Sequence, residues 1–335
     1  MPKLPAPSFR RALLSAACLL PALALPHAGA SAQAYPSKPV RLVVTFTPGG
    51  GADTTGRVFG ERLSDLWKQP VLIDNRAGAG GSIGAEIVYR AAPDGYTLLL
   101  ATNTHIINQV VYTKLPFDFT KDFTSIAVVT SGPMVIAVNP AKVAAQNVRD
   151  FTAMLLKAPG KFSYASCNVA SPHHFGMEMY KFAMKIDAVH IPHRGCAPAV
   201  ADAVAGQVDI VVATLPPAVP FFATGRLRPV GLLSAQRSPS APDIPTVRES
   251  GIPELKDFSL ESYYGFMAPP NTPAAVASKI EADVLKVAAA PELRTKLSGA
   301  GMDMMVLNAA AMTKLIRSDY EKYLKAGKAA NIKPE

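Results

Sequence analysis

The stretch Arg41-Leu-Val-Val-Thr-Phe-Thr-Pro-Gly-Gly-Gly-Ala-Asp-Thr-Thr-Gly56 decides the fold of this chain. Its β-branched beginning predicts a strand over residues 41–46, and residues 53–66 have helical periodicity. Between them, Gly49, Gly50 and Gly51 predict a tight turn. A strand that turns through glycine into a helix leaves backbone N–H groups free at the helix N-terminus, where an anion binds favourably. The hydroxyl of Thr47 adds a further donor to this candidate anion site.

The same alternation of strand and helix continues through the chain, which predicts α/β layers with largely parallel sheets. After residues 1–34, about 300 residues remain, more than one compact core usually holds, so we expect two domains. The pattern restarts near Asn139-Pro140. Residues 262–268 predict a strand, and the last helix, near residues 309–325, is expected to pack back on the first domain, making it discontinuous.

Residues 1–32 resemble a secretion signal that is removed from the mature chain. Lys3, Arg10 and Arg11 precede an apolar run that is too short to span a bilayer, and small residues suited to cleavage follow it. We favour cleavage after Ala32. Cys18 follows a segment similar to a lipoprotein cleavage box, but the apolar run before it is short, and we do not expect lipid attachment.

Composition limits the classes of function. The formal charge of +9 falls to +6 without the three signal-peptide cations, and the excess is spread along the chain. Nucleic-acid binding is therefore not indicated. No apolar run after the signal reaches transmembrane length. Cys167 and Cys196 are the cysteines outside the signal, and the sequence leaves open whether they form a disulfide.

A second set of polar residues follows strands in the second half of the chain. Ser166 ends a predicted strand, and Ser171 is a good N-cap for a helix that has Pro172 at its first position. His174 lies just inside that helix. Thr214 ends a neighbouring predicted strand. Because ligands bind at the carboxyl ends of strands in open α/β sheets, these side chains are candidates for holding the other end of a ligand, with ordinary capping as the alternative.

Two catalytic or metal-binding interpretations are weaker. Gly80-Gly-Ser-Ile-Gly84 matches the nucleophile elbow of serine hydrolases, yet loop residues separate Ser82 from the preceding strand. His190, His193 and Cys196 have gaps typical of metal ligands, but a strand places side chains three apart on opposite faces. A full ligand set is absent from the sequence, so we predict neither a metal nor a cofactor.

Together these segments resemble the periplasmic substrate-binding proteins of tripartite tricarboxylate transporters, the Bug group. The resemblance covers nearly the whole chain after residue 34. It is carried, in this order, by the segments Tyr35-Pro-Ser-Lys-Pro-Val-Arg-Leu-Val-Val44, Pro48-Gly-Gly-Gly-Ala-Asp53, Asp74-Asn-Arg-Ala-Gly-Ala-Gly-Gly81, Ala92-Pro-Asp-Gly-Tyr96, Ser171-Pro-His-His174, His193-Arg-Gly-Cys-Ala-Pro198, Gly206-Gln-Val-Asp209 and Arg237-Ser-Pro-Ser-Ala-Pro-Asp-Ile-Pro-Thr-Val247.

The resemblance implies a two-lobed periplasmic-binding-protein-like (type II) fold, each lobe a mostly parallel sheet flanked by helices, with the ligand cleft between the lobes. We expect lobe 1 to comprise residues 35–135 and 256–335, and lobe 2 residues 136–255. It further implies a monomeric periplasmic receptor without catalysis, a small carboxylate ligand, and a transporter of two integral membrane chains as partner. The alternatives are a secreted hydrolase using Ser82 and a sensing component for a signalling receptor.

The resemblance also implies the binding residues. One ligand carboxylate is expected on the segment from Thr47 to Asp53, although the charge of Asp53 favours a structural role for its own side chain. The second lobe is expected to contribute Ser166, Ser171, His174 and Thr214. Many relatives have Asp-Asn where this chain has Ala213-Thr214, which removes a partner for an ammonium group and favours a ligand that is not an amino acid. Arg194 offers a carboxylate clamp, with a solvated arginine as the alternative.

Overall fold

The computed structural model describes residues 35–329. The predicted signal peptide, its cleavage site and Cys18 lie outside these residues. Within them, no helix is both long enough and apolar enough to cross a membrane. The helices are α1 (Gly51–Trp67), α2 (Ser82–Tyr89), α3 (Asn103–Val111), α4 (Val148–Lys157), α5 (Pro172–Met184), α6 (Cys196–Val204), α7 (Leu215–Ala223), α8 (Ala274–Ala288), α9 (Pro291–Gly299) and α10 (Ala309–Ala329).

Two sheets organise the chain, and each defines one lobe with the helices packed on it. The strands are β1 (Val40–Val44), β2 (Val71–Asn75), β3 (Thr97–Thr102), β4 (Thr124–Gly132), β5 (Met134–Val138), β6 (Ser163–Ser166), β7 (Val189–Pro192), β8 (Ile210–Thr214), β9 (Arg228–Leu232), β10 (Ser262–Ala268) and β11 (Asp303–Asn308). The six-stranded sheet of the first lobe has the order β11-β4-β10-β3-β1-β2. The five-stranded sheet of the second lobe has the order β7-β6-β8-β5-β9.

Both sheets are mixed, with parallel and antiparallel pairings side by side, where mostly parallel sheets were expected. In the first lobe β1 pairs in parallel with β2 and β3, whereas β10 runs antiparallel to β3 and β4. In the second lobe β5 runs antiparallel to β8 and β9. The reason is that β5 enters its sheet directly from β4, and β10 returns from the other lobe. Neither arrives through the strand–helix–strand crossover that makes neighbouring strands parallel.

The hydrophobic core follows from strands that are buried on both faces. All residues of β5 and β10 are buried, as are the five residues of β8. Continuous apolar strands are expected where helices cover both faces of a sheet. On one side of the first sheet, Trp67 at the end of α1 donates a hydrogen bond to Asp283 of α8, with 2.6 Å between Nε1 and Oδ2. This bond joins two helices that cover the same face.

Helix α3 was not predicted. Its sequence, Asn-Thr-His-Ile-Ile-Asn-Gln-Val-Val, is rich in β-branched residues, which have low helix propensity. The helix forms because Thr102 and His105 build a capping box: Thr102 Oγ1 accepts from the Thr104 backbone at 3.1 Å, and His105 Nδ1 accepts from the Thr102 backbone at 3.1 Å. Its residues are almost all buried, so tertiary packing, including contacts with α10, outweighs propensity.

The side chain of His105 extends from α3 into the core and stacks on Phe119, with 4.8 Å between the ring centroids. Burial lowers the pKa of His105 to about 4, although its bonds to backbone groups act in the opposite direction. The imidazole is therefore neutral in the folded protein at neutral pH.

We expect His105→Gln to reduce acid sensitivity. Because the pKa of His105 is lower in the folded state than in the unfolded state, its contribution is complete above pH ~6.5 and is lost as the pH falls towards 4. When the pH falls from 7 to 5, one such histidine lowers the free energy of unfolding by about 2 kcal/mol. Glutamine preserves the capping box. Urea unfolding at both pH values measures the effect, and equal pH losses in variant and wild type would contradict it.

A glycine in the middle of β10 allows a second test of the fold. A Cβ atom on Gly265 would lie 2.5 Å from the backbone oxygen of Ala127 in β4. Gly265→Ala must therefore move a backbone strand, and we expect it to cost about 3 kcal/mol or more. Gly299 at the end of α9 is a matched control, since a Cβ there meets nothing within 4 Å. Gly299→Ala should leave stability equal or raise it by about 0.5–1 kcal/mol. Thermal unfolding followed by circular dichroism compares the two; similar melting temperatures would contradict the strand packing described.

Candidate functional site

A pocket lies between the lobes, at the carboxyl ends of β1, β3 and β6 and at the start of β10, and encloses a cavity of about 30 Å³. Such a position, outside the strand ends, is where open α/β sheets bind ligands. The lining residues of the first lobe are Phe46, Thr47, Gly50, Gly51, Ala52, Thr102, Thr104, Ser262 and Tyr264, and those of the second lobe are Cys167, Ser171, His173 and Cys196.

Four helices of the described chain begin at this pocket. Gly50, Gly51 and Ala52 form the start of α1, and Thr102 and Thr104 form the start of α3. In the second lobe, Ser171 and His173 begin α5, and Cys196 is the first residue of α6. Each helix N-terminus carries a partial positive charge of about half an elementary charge. The pocket is therefore electropositive without the help of a basic side chain.

The N-termini of α1 and α6 differ from the other two because their N-caps, Gly50 and Gly195, have no side chain to bond the first N–H groups. They also lie close together. A Cβ on Gly50 would be 3.9 Å from Cys196 Cβ, and a Cβ on Gly49 would be 3.4 Å from Ala197 Cβ. Thr47 connects the lobes at this point, since its hydroxyl donates to the carbonyl oxygen of Arg194 at 3.3 Å.

Asp53 lies beneath the first glycine loop and points away from the pocket lining. It accepts hydrogen bonds from the Gly49 backbone at 3.0 Å, from Arg57 at 2.8 Å and from Asn75 at 3.0 Å. Burial would raise the pKa of Asp53, but these bonds, led by that of Arg57, outweigh burial and hold the pKa below its ordinary value. Asp53 is thus an ionised anchor for the loop, and the N–H group of Gly49 is occupied by it.

The predicted residues of the second lobe divide into two groups. Ser171 lines the pocket and caps α5, with the His174 backbone donating to its hydroxyl at 3.2 Å. Ser166 is buried and bonds His190 Nε2 at 2.7 Å. His174 accepts from the Ala170 backbone at 3.3 Å and stacks on His190 with 4.1 Å between centroids. Neither Ser166 nor His174 lines the pocket.

Thr214 and Arg194 also lie outside the pocket lining. Thr214 is fully buried behind it, next to Gly132, where the chain crosses between the sheets. The Arg194 side chain is exposed and lines an adjoining outer groove together with the second glycine loop. Residues of that groove from the first lobe are Ala77, Gly78, Ala79, Gly80, Ile83 and Tyr112, and from the second lobe Asn168 and Val169.

Sequence reasoning missed several lining residues. His173 occupies the position next to the predicted His174, and residues adjacent on a helix point about 100° apart. Burial lowers the pKa of His173 to about 3, so the ring is neutral. Ser262 and Tyr264 come from β10, more than 200 residues after the first loop, and no local signal marks them. Burial raises the pKa of Tyr264 to about 12, so its hydroxyl stays protonated as a donor.

Cys167 and Cys196 form a disulfide, which resolves the question that the sequence left open. The bond joins the loop after β6 to the first residue of α6 and forms part of the pocket wall. The two histidines with ligand-like spacing have other partners: His190 bonds Ser166, whereas His193 Nε2 bonds Asp202 at 2.8 Å.

Ser82 does not occupy a nucleophile elbow. It is the first residue of α2 and follows a short 3₁₀ turn, and its hydroxyl accepts from Asn108 at 3.3 Å. Among the hydrogen bonds found in residues 35–329, none joins the Ser82 hydroxyl to a histidine, so no base is placed to activate it.

Comparison with known proteins adds to this geometry. The sequence pattern of the family described as "Tripartite tricarboxylate transporter family receptor" matches residues 55–331. The protein in the tcbD-tcbE intergenic region of Pseudomonas sp. (strain P51) is 32% identical over 310 residues, 91% of this chain and 90% of that protein. The protein BugT of Bordetella pertussis (strain Tohama I) is 32% identical over 244 residues, 72% of this chain and 74% of that protein.

Solved structures show the same fold. Rpa4515 of R. palustris with adipate has a TM-score of 0.86 at 28% identity, over 90% of this chain and 100% of that one. MatC from Rhodopseudomonas palustris with bound malate has a TM-score of 0.78 at 26% identity, over 87% and 99%. These likenesses confirm the two-lobed periplasmic-binding-protein-like fold and the predicted resemblance to the Bug group. The chain belongs to the tripartite tricarboxylate transporter receptor family, whose members are solute-binding proteins.

Proposed function

We propose that this protein captures a small carboxylic acid in the pocket between its lobes and delivers it to a tripartite tricarboxylate-type transporter. One observation carries the proposal: four helix N-termini converge on a pocket that has no charged side chain among its lining residues, all of which are described. The relatives with bound adipate and bound malate support a carboxylate.

The backbone supplies the donors that a buried carboxylate needs. An ionised carboxylate pays a large desolvation penalty unless it is hydrogen-bonded or paired. The first N–H groups of α1 and α6 have no side-chain cap, so they are available to carboxylate oxygens. A favourable, partly buried site at a helix N-terminus contributes up to about 2 kcal/mol. The hydroxyl of Tyr264 is a further donor on the pocket wall, whereas the hydroxyl protons of Thr47 and Ser171 are already donated to the carbonyl oxygens of Arg194 and Asn168.

The neutral lining also limits which charged groups the rest of the ligand can carry. An ammonium group in this pocket would meet four positive helix ends and no carboxylate, because Asp53 is turned away and already bonded. We therefore propose an acid without an amino group, such as a dicarboxylate, tricarboxylate or aromatic acid. Direct ligand contact is proposed for Thr47, Gly50, Gly51 and Ser171.

The remaining predicted residues receive other roles in the proposal. Asp53 and Gly49 hold the first loop in place, since they bond each other. Ser166, His174 and Thr214 support the pocket from behind. Arg194 lines the outer groove and is proposed to contact the distal group of a longer acid.

Capture is proposed to proceed by hinge closure. The ligand would bridge α1 of the first lobe and α6 of the second and stabilise the closed state. The proposed lobe ranges remain 35–135 with 256–335, and 136–255; the strands of each sheet support this division, except that Met134 and Val135 pair within the sheet of the second lobe. The closed monomer is proposed to dock in the periplasm on a transporter of two membrane chains; the family's description and the relatives named as periplasmic proteins support this.

A charge placed at the start of α1 tests the anion site. We expect Ala52→Asp to weaken binding of the best acid in a panel of adipate, malate, citrate, benzoate and glutamate by at least about tenfold, which is about 1.4 kcal/mol. Ala52 lines the pocket, so the new carboxylate would repel the ligand. Asn is the matched control: Ala52→Asn has similar shape and no charge. Isothermal titration of protein unfolded and refolded to remove ligand compares them, and equal losses for both variants would contradict an anion site.

A methyl group between the lobes tests closure. A Cβ on Gly195 would lie 2.1 Å from Thr47 Oγ1, so Gly195→Ala must displace the Thr47 hydroxyl from its interlobe contact, and we expect it to lower affinity at least about tenfold, or about 1.4 kcal/mol. Gly225→Ala is the control, because Gly225 also has a positive φ but a Cβ there meets nothing within 4 Å. Both variants carry backbone strain, although φ is +153° at Gly195 and +67° at Gly225, and Gly195 is the one of the two that contacts the other lobe. Unchanged affinity in Gly195→Ala would contradict closure at this contact.

A further inference from the structure

The disulfide in the pocket wall has a third partner. The Sγ atoms of Cys167 and Cys196 and a ring nitrogen of His173 all lie within 4.8 Å of one another, and all three residues are buried. They come from three separate segments of the second lobe: the loop after β6, the beginning of α5 and the first residue of α6. The oxidised pair is one state of this cluster, and two thiols beside an imidazole are the other.

We propose that Cys167, Cys196 and His173, once the disulfide is reduced, bind a soft divalent metal ion such as Zn²⁺ in the wall of the ligand pocket. Two thiolates and an imidazole are preferred zinc ligands. Tetrahedral zinc with ordinary bond lengths separates a sulfur and a nitrogen ligand by about 3.6 Å. The distance between Cys196 Sγ and His173 Nε2 is 3.6 Å before any rearrangement.

The environment of His173 supports a metal partner. The side chain is 4% exposed, and its Nδ1 atom is buried without a hydrogen-bond partner in the described part of the chain. Its Nε2 atom faces the sulfur of Cys196, which is a weak hydrogen-bonding group. Buried histidines normally satisfy their polar atoms, so this ring is unusual in lacking a strong partner. Coordination through Nε2 would replace this weak contact with a metal–nitrogen bond.

The position of the cysteines also favours the reduced, metal-binding form. Cys196 is the first residue of α6, and a helix N-terminus stabilises a thiolate. All three residues line the pocket, so a tetrahedral ion would have its fourth position towards the pocket space. If the proposed function holds, a ligand carboxylate could occupy that position. The metal site itself does not depend on the acid and is tested without it.

The chemistry balances with a named reductant. A dithiol reductant donates two electrons to the disulfide, becomes a disulfide itself, and leaves two thiols on the protein. In vitro a phosphine does the same and is converted with water to its oxide. Binding of one Zn²⁺ then releases two protons, one from each thiol, and gives a neutral dithiolate site.

Cobalt titration tests the site. The full chain carrying Cys18→Ser, in which Cys167 and Cys196 are the remaining cysteines, is reduced with a phosphine, freed of excess reagent under nitrogen and titrated with Co²⁺. We expect one ion per reduced chain, with a thiolate-to-cobalt charge-transfer band, tetrahedral d–d bands and displacement by Zn²⁺. The oxidised form of the same protein is the control and should give no thiolate band. This comparison uses one sequence in two redox states, so it does not depend on how the histidine variants fold.

Two histidine variants complete the test. His173→Ala should weaken cobalt binding at least about tenfold and alter the d–d bands. His193→Ala should change neither the affinity for cobalt nor the d–d bands. His193 lies three residues before Cys196, but its ring bonds Asp202. Absence of a one-to-one cobalt complex with thiolate bands in the reduced chain would overturn the proposal, and so would equal affinity in His173→Ala and wild type. Loss of acid binding in the earlier titrations would leave both outcomes unaffected.

Discussion

The N-termini of α1 and α6 face each other across the interlobe pocket, and each follows a glycine with no side-chain acceptor. This arrangement constrains the rest of the site. The loops before α1 and α6 approach closely because Gly195 has no side chain to meet Thr47. The first N–H groups of both helices have no side-chain acceptor. Two positive helix ends held this close are mutually unfavourable, and the proposed anion between them would offset that repulsion.

The charge of the pocket comes from backbone groups, which do not titrate. His173 is neutral because burial lowers its pKa to about 3, and Tyr264 is protonated because burial raises its pKa to about 12. Over the pH range between these values the pocket keeps one electrostatic state. Any pH dependence of binding in that range must therefore come from the ligand's own ionisation or from groups outside the lining, and not from these two side chains.

Apart from α3, local sequence signals located the strands and helices around the site, but not the lining in full. The run from Arg41 to Gly56 determines its own structure, because β-branched residues, glycines and helical periodicity follow in order. Helix α3 escaped prediction because its stability comes from Thr102, His105 and burial, which override propensity. The sequence pointed to His174 as the pocket histidine, whereas the pocket is lined by His173, one position earlier on the same helix. Ser262 and Tyr264 reach the pocket through strand pairing across the whole chain, which no short pattern encodes.

The position of Asp53 shows how an acid can belong to an anion-binding loop without opposing it. Its two carboxylate oxygens receive three hydrogen bonds, from Gly49, Arg57 and Asn75, and Arg57 neutralises its charge. The bond from Gly49 fixes the turn, and it also uses one of the loop N–H groups that precede the helix start. The N–H groups of Gly51 and Ala52 are then the free donors nearest the pocket. The acid thus positions the loop while leaving the ligand to meet the helix end, which explains why a carboxylate in this sequence is compatible with a carboxylate ligand.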